Sequence, residues 1–306
     1  MTTVRLPLFC RGAACAWAVA AATALTFDGT LASGQNISFS RGQNIAPAYE
    51  GWLENPDGSF DLIFGYLNRN WDEQLDVPIG PDNNIEPGGP DRGQPTHFLP
   101  RRNLFTFRVR VPKDFGNKEL VWTLTSHGKT ERAYATLKPA YVINNDVMSA
   151  NSGASGGAGT SLELQNLNKV PTLKIEGEKA SIVAPGQAVT LTAFAKDDGL
   201  PRPRGLGLVN PLNASGAAVS SATGLRVAWF VYRGAGQVTF DPPQFKVNMD
   251  TRGGSPWAPG WQTPPVPPEG RWTVRATFSE PGTYVLRCLA HDGALSTFED
   301  VTVVVR

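Results

Sequence analysis

The polar chemistry of this 306-residue sequence gathers in one stretch, Val77 to Asn103. It holds Asp82, Asn84, Glu86, Asp91, Arg92, His97, Arg101 and Arg102 among six prolines and four glycines. Asp82-x-Asn84-x-Glu86 is rich in oxygen ligands, but it lacks the central glycine and distal bidentate glutamate of a calcium loop. The chain has three histidines and none stands at metal-ligand spacing, so neither a metal nor another cofactor is expected. Long connections without structure of their own are uncommon in compact domains and tend to carry function. Read as a site, the stretch offers Asp82, Glu86, Asp91, Arg92, His97 and Arg101 as contacts for a ligand or protein partner. The alternative is an ordered loop packed on the domain that carries it.

A second cluster is aromatic. Arg252 to Pro268 carries Trp257 and Trp261 in a Pro/Gly frame. Rigid exposed indoles make stacking platforms for sugar rings or proline-rich peptides; folded back, they would close over a core instead. Other matches carry no chemistry. Gly153-Ala-Ser155-Gly-Gly157 fits the G-x-S-x-G elbow in letters, but no strand enters it and no helix leaves it. Ser126-x-x-Lys129 continues a strand into a turn. No glycine-rich phosphate loop is present, and Arg108 and Arg110 read as the solvent face of a strand, so nucleic acid is not an expected partner. No catalytic residues are assigned.

The elements that must position these clusters are strands. Glycine (32) and proline (25) are abundant while charged residues make up only 18%, the profile of a turn-rich β protein. No stretch shows sustained helical periodicity. Phe105, Phe107, Val109 and Val111 alternate inward, and Leu120, Trp122 and Leu124 repeat the pattern. Asn55-Pro-Asp-Gly58 marks a turn between two strands. Residues 45–148 therefore form a first β-sandwich, of immunoglobulin size or jelly-roll-like. Residues 149–169 read as a flexible linker by their Gly/Ser/Ala content. Residues 170–306 form a second sandwich, and the fold class is all-β.

In that second domain Pro281-Gly-Thr-Tyr-Val-Leu-Arg-x-x-Ala-x-Asp-Gly293 leads into a Val/Thr strand. Tyr284, Leu286, Cys288 and Ala290 point to one side, and Val285, Arg287, Leu289 and His291 to the other. Asp292-Gly293 is a two-residue hairpin signal. This stretch resembles the end of a PKD-type or related bacterial immunoglobulin-like domain. Pro185-Gly186 with the strand after it, and Trp229 on a later strand, resemble earlier parts of such domains. The sequence departs from the PKD signature at Trp229-Phe-Val-Tyr-Arg-Gly-Ala-Gly236, which replaces an acidic motif, and in two insertions near 197–224 and 246–270. The resemblance implies an extracellular, non-catalytic module.

Arg5, Arg11 and an apolar run from Ala13 to Leu25 read as a signal peptide over residues 1–33, which implies a secreted or periplasmic protein with no later membrane span. Its removal leaves 26 basic and 26 acidic residues, so no bulk charge points to a polyanion. Cys288 then has no intramolecular disulfide partner and reads as a small buried hydrophobe. The function expected is a non-catalytic binding or structural protein, with a protein or glycan at the cell surface as its partner. The alternatives are a glycan-binding accessory module and a secreted hydrolase.

Overall fold

The first sandwich forms because its strands bury alternate apolar residues against one another. Its strands are β1 (Ile45–Glu54), β2 (Phe60–Asn68), β3 (Leu75–Asp76), β4 (Asn83–Glu86), β5 (His97–Phe98), β6 (Arg101–Val111), β7 (Leu120–Ser126) and β8 (Lys129–Ala135). The structure is a computed structural model that describes residues 38–153, 167–207 and 220–306. The expected signal segment, and most of the expected linker, lie outside these residues. Sheet β1-β2-β6 faces sheet β4-β7-β8, while β3 and β5 pair separately. That is the A-B-E against C-F-G arrangement of an immunoglobulin-type sandwich, not a jelly roll. Leu62, Phe64, Phe107 and Val109 from one sheet meet Ile85, Trp122 and Leu124 from the other.

Val77–Asn103, expected to lack strands, contains β4, β5 and the start of β6. A four-residue strand with Ile85 as its one large apolar residue gives no alternation to read. What orders the stretch is the fully buried Asn83. Its side chain donates to the carbonyls of Val77 (2.9 Å) and Pro95 (2.8 Å) and accepts from the Trp122 indole (3.0 Å). One amide thus ties both arms of the stretch to the core. After β8 the chain makes a short helix, α1 (Asn145–Asn151), whose first turn is capped by Asn144 accepting from the Val147 amide. The start of the expected linker, residues 149–151, is therefore helical, and the helix buries Met148 and Ser149.

The second sandwich comprises β9 (Thr172–Ile175), β10 (Ala180–Val183), β11 (Ala188–Lys196), β12 (Arg226–Arg233), β13 (Val238–Asp241), β14 (Arg271–Phe278), β15 (Gly282–His291) and β16 (Ser296–Val305). Sheets run β13-β14-β11-β9 and β10-β16-β15-β12, again the immunoglobulin order, with β10 parallel to β16. Tyr284, Leu286, Cys288 and Ala290 are all fully buried, as their alternation predicts. Trp229 lies opposite Cys288 across the β12–β15 ladder. Tyr284 donates to the Glu280 carbonyl at 2.9 Å, a tyrosine closing the corner at the start of its strand as immunoglobulin sandwiches do. The β15–β16 connection spans four residues, Asp292 to Leu295, instead of the two expected. Asp292 accepts from the Ala294 (2.6 Å) and Leu295 (2.7 Å) amides, which stabilises the wider turn.

Cys288 is buried, and that burial pushes its thiol well above the ordinary value. Cys288 in the native protein is therefore expected to resist a thiol reagent that labels it readily in denaturant; rapid native labelling at Cys288 would contradict the packing. Trp229→Ala is expected to cost about 3–5 kcal/mol, measured by denaturant unfolding.

Burial likewise pushes the Asp292 carboxyl up to about 7, against an unfolded value of about 3.9. The folded state then binds a proton more tightly in that window, so this group favours folding at acidic pH and the contribution is lost as pH rises through about 7. Asp292→Asn, which keeps an acceptor for the turn amides, should flatten this part of the stability profile. An unchanged slope would contradict the assignment.

Candidate functional site at the junction of the sandwiches

The two sandwiches lie within one compact unit, Ser38–Arg306, and their junction begins at a bulge. Pairing of β2 with β6 skips residues 104–106, because Tyr66 faces Asn103 while Phe64 faces Phe107. A bulge re-aims the side chains it carries. Phe105, at φ 50°, turns out of the first core, contrary to its expected inward place. It packs instead with Ile63, Met148, Ala294 and Leu295, an apolar cluster shared by both sandwiches.

The same bulge presents the Thr106 carbonyl to Arg287 at 2.6 Å. Strand alternation put Arg287 on the outer side of β15, and it does point away from its own core. That side is nonetheless buried, with Arg287 only 4% exposed. Its guanidinium donates to both Asp300 oxygens at 2.8 Å and lies between the Tyr232 and Phe298 rings, 3.4 and 3.7 Å from their centroids. A desolvated cation between aromatic faces, paired to a carboxylate, is held firmly in place.

Around this bolt the charged loop docks. Asp91 receives two bonds from Arg233, at 3.0 and 2.8 Å, which hold its carboxyl below the usual carboxylate range. Arg233 also donates to the Gln94 carbonyl and Tyr232 to that of Gly93. Gly234, at φ 112°, donates its amide to the Thr96 hydroxyl. A Cβ there would lie 2.8 Å from the Tyr284 ring, so glycine is required. Arg101 and Arg252 flank Trp71 at 4.1 and 4.6 Å, and Arg252 also pairs with Asp72 at 2.7 Å.

Of the expected contacts, Asp91 thus holds the joint, while Arg101 stays within the first sandwich, on the Trp71 ring and the Arg69 carbonyl. Arg92 donates to the Pro87 carbonyl within its own loop. Asp82 and Glu86 stand exposed on the first sandwich, away from these groups. Trp257 is buried beneath the folded-back insertion, beside a cavity of about 120 Å³ that also meets Phe105, Met148 and Leu295. Trp261 stands edge-on behind Phe245 at 5.2 Å. His97 is different, for it lines an open groove of about 630 Å³ between the sandwiches.

One wall of that groove is Asp72, Glu73, Gln74, Asp76 and His97; the other runs along β12 and β13 and on through Gln244 to Asn248. The His97 ring lies 2.8 Å from Asp76 through Nδ1 and 2.8 Å from Gln74 through Nε2. That is a histidine oriented by a carboxylate, with an amide where a nucleophile would stand. Among the described residues no group of three His, Cys, Asp or Glu is placed to hold a metal. Gln74, Gln237, Thr239 and Gln244 gave no signal in the sequence, because polar residues near short edge strands look like any solvent-facing ones. Only the docking of two distant segments makes them a wall.

No family model matches the chain, and no curated protein matches it. Among solved structures, the fibronectin(III)-like modules of Clostridium thermocellum CbhA align at 12% identity over 80% of this chain and 85% of theirs, with a TM-score of 0.22. Domains 4 and 5 of the S-layer protein SbsC align at 12% identity over 86% and 98%, and the D0-D1 domain of Intimin at 9% over 84% and 97%, each with a TM-score of 0.22. At such scores the fold rests on the strand order above.

Arg287→Met should destabilise the protein, by less than the cost of breaking a fully buried ion pair, because the Asp300 carboxylate left behind is 35% exposed. It should also split thermal unfolding into two transitions. A single unshifted transition would show that the junction does not depend on this residue.

Proposed function

We propose that this chain is an exported, non-catalytic binding protein in which two immunoglobulin-like sandwiches are fixed as one body and the junction groove is the contact surface. The observation that carries this is the division of the polar residues. Asp91, Arg233, Arg252 and Arg287 are engaged in the joint, while the groove keeps exposed polar side chains from both sandwiches around a wide opening. Preformed clefts at domain boundaries are a common place for ligands. The signal-like residues 1–33 and the PKD-type resemblance of residues 281–293 support export and a module acting outside the cytoplasm. No residue is assigned a chemical step.

The test uses the purified chain on peptide and polysaccharide arrays, alongside ester, peptide and glycoside substrates. Retention on an array that is lost in the groove variant Thr239→Arg, without turnover of any substrate, is the expected result. Turnover abolished by His97→Ala would overturn the reading, as would retention that Thr239→Arg leaves intact.

A further inference from the structure

We infer that the junction groove takes a neutral, hydroxyl-rich ligand, an oligosaccharide of a few units, and not a charged peptide; this rests on the reading of the groove as the binding surface. The first ground is charge. The groove carboxylates already hold donors: Asp72 from Arg252, Glu73 from the Gly42 amide at 2.7 Å, and Asp76 beside His97. Lys246 likewise gives its charge to Asp250 at 2.6 Å. Glu73 and Asp76 meet neutral or histidine donors and Arg41 lies at the open rim, so the lining carries three carboxylates against two cations, Arg41 and Lys246. A charged peptide needs an unanswered opposite charge to select it, and the groove is already close to balanced.

The second ground is the sheet edge. An extended peptide binds most readily by adding a strand to a free edge, and β12 and β13, each last in its sheet, are the second sandwich's edge strands along this groove. The β12 edge is partly taken, and β13 is only four residues long. Gln244 accepts from the Trp229 amide at 3.0 Å, and the Thr96 amide donates to the Tyr232 carbonyl at 3.3 Å. Near-balanced charge, with edges that are short or partly covered, favours hydrogen bonding to hydroxyls and apolar contact as the modes of recognition.

The lining suits both. Gln74, Gln237 and Thr239 are exposed and offer donors and acceptors in mixed order, while Phe230, Phe240 and Phe245 give partly buried apolar faces. Sugar rings present equatorial hydroxyls at their edges and apolar C–H faces, and aromatic surfaces stack against the latter. Paired carboxylates, held in place by their donors, remain good acceptors for vicinal hydroxyls. A volume of about 630 Å³ lies within the usual range for ligand sites.

The experiment is calorimetric titration of the full chain with neutral oligosaccharides of three to six units drawn from gluco-, xylo-, manno- and chitin-derived series. One basic and one acidic decapeptide serve as comparators. At least one neutral oligosaccharide should bind, with an affinity that changes less than about twofold between low and high salt, since screening acts on charges. Thr239→Arg should weaken it at least about tenfold, and Gln237→Ala by a smaller factor, with the melting temperature unchanged in both. Binding of a decapeptide that Thr239→Arg removes would overturn the oligosaccharide inference while leaving the groove as a binding surface. Failure of every oligosaccharide and both peptides to bind overturns both.

Discussion

Everything described about the site depends on a single buried cation. Arg287 belongs to the second sandwich by sequence, yet its guanidinium lies at the boundary, between two aromatic rings and against a backbone carbonyl of the first sandwich. A charge in such a place is tolerated only when its hydrogen bonds are answered, and here Asp300 and Thr106 answer them. The arrangement therefore constrains both modules. The bulge in β6 must present the Thr106 carbonyl, and β12 must place the Tyr232 ring. Those same two elements carry the Phe105 cluster and the Asp91 dock, so the constraint spreads across the junction.

The groove follows from this as a consequence of geometry. With the modules fixed, the β3–β5 edge of one stands across from the β12–β13 flank of the other. Sheet edges are sites of unwanted pairing unless they are covered. Gln244 and the loop before β5 provide that cover for β12. The space left between the edges is open and lined by polar and apolar side chains together. Immunoglobulin-type sandwiches commonly bind through loops at one end; here the long connections mainly join the modules, and the binding surface lies along their flank.

What was legible in the sequence, and what was not, divides by range. Alternation along β15 placed Tyr284, Leu286, Cys288 and Ala290 in the core, and all four are there. The same alternation put Arg287 on the other side, which is correct, but could not tell whether that side faces water or another module. Phe105 illustrates a second limit, since a bulge breaks the period on which inward and outward assignments rest. β4 was invisible because four residues, Asn-Asn-Ile-Glu, show no alternation; it exists because β7 offers it a ladder from about forty residues away. The charged loop stood out by its composition; of its candidates Asp91 meets a partner far along the chain, Arg233, whereas Arg101 stays on Trp71 in its own sandwich. His97 was the one candidate that reached the groove, and its neighbours there come from segments that no local pattern connects.

The central claim is that the two sandwiches behave as one body, and the most direct measurement is a distance distribution between them. Spin labels at the exposed positions Tyr134, on β8, and Ile182, on β10, report on opposite modules without touching the junction. Cys10 and Cys15 would be replaced by serine, and buried Cys288 left in place. A single narrow distribution that broadens in Arg287→Met is the result expected. A broad distribution in the unaltered protein, or one that Arg287→Met leaves unchanged, would contradict it.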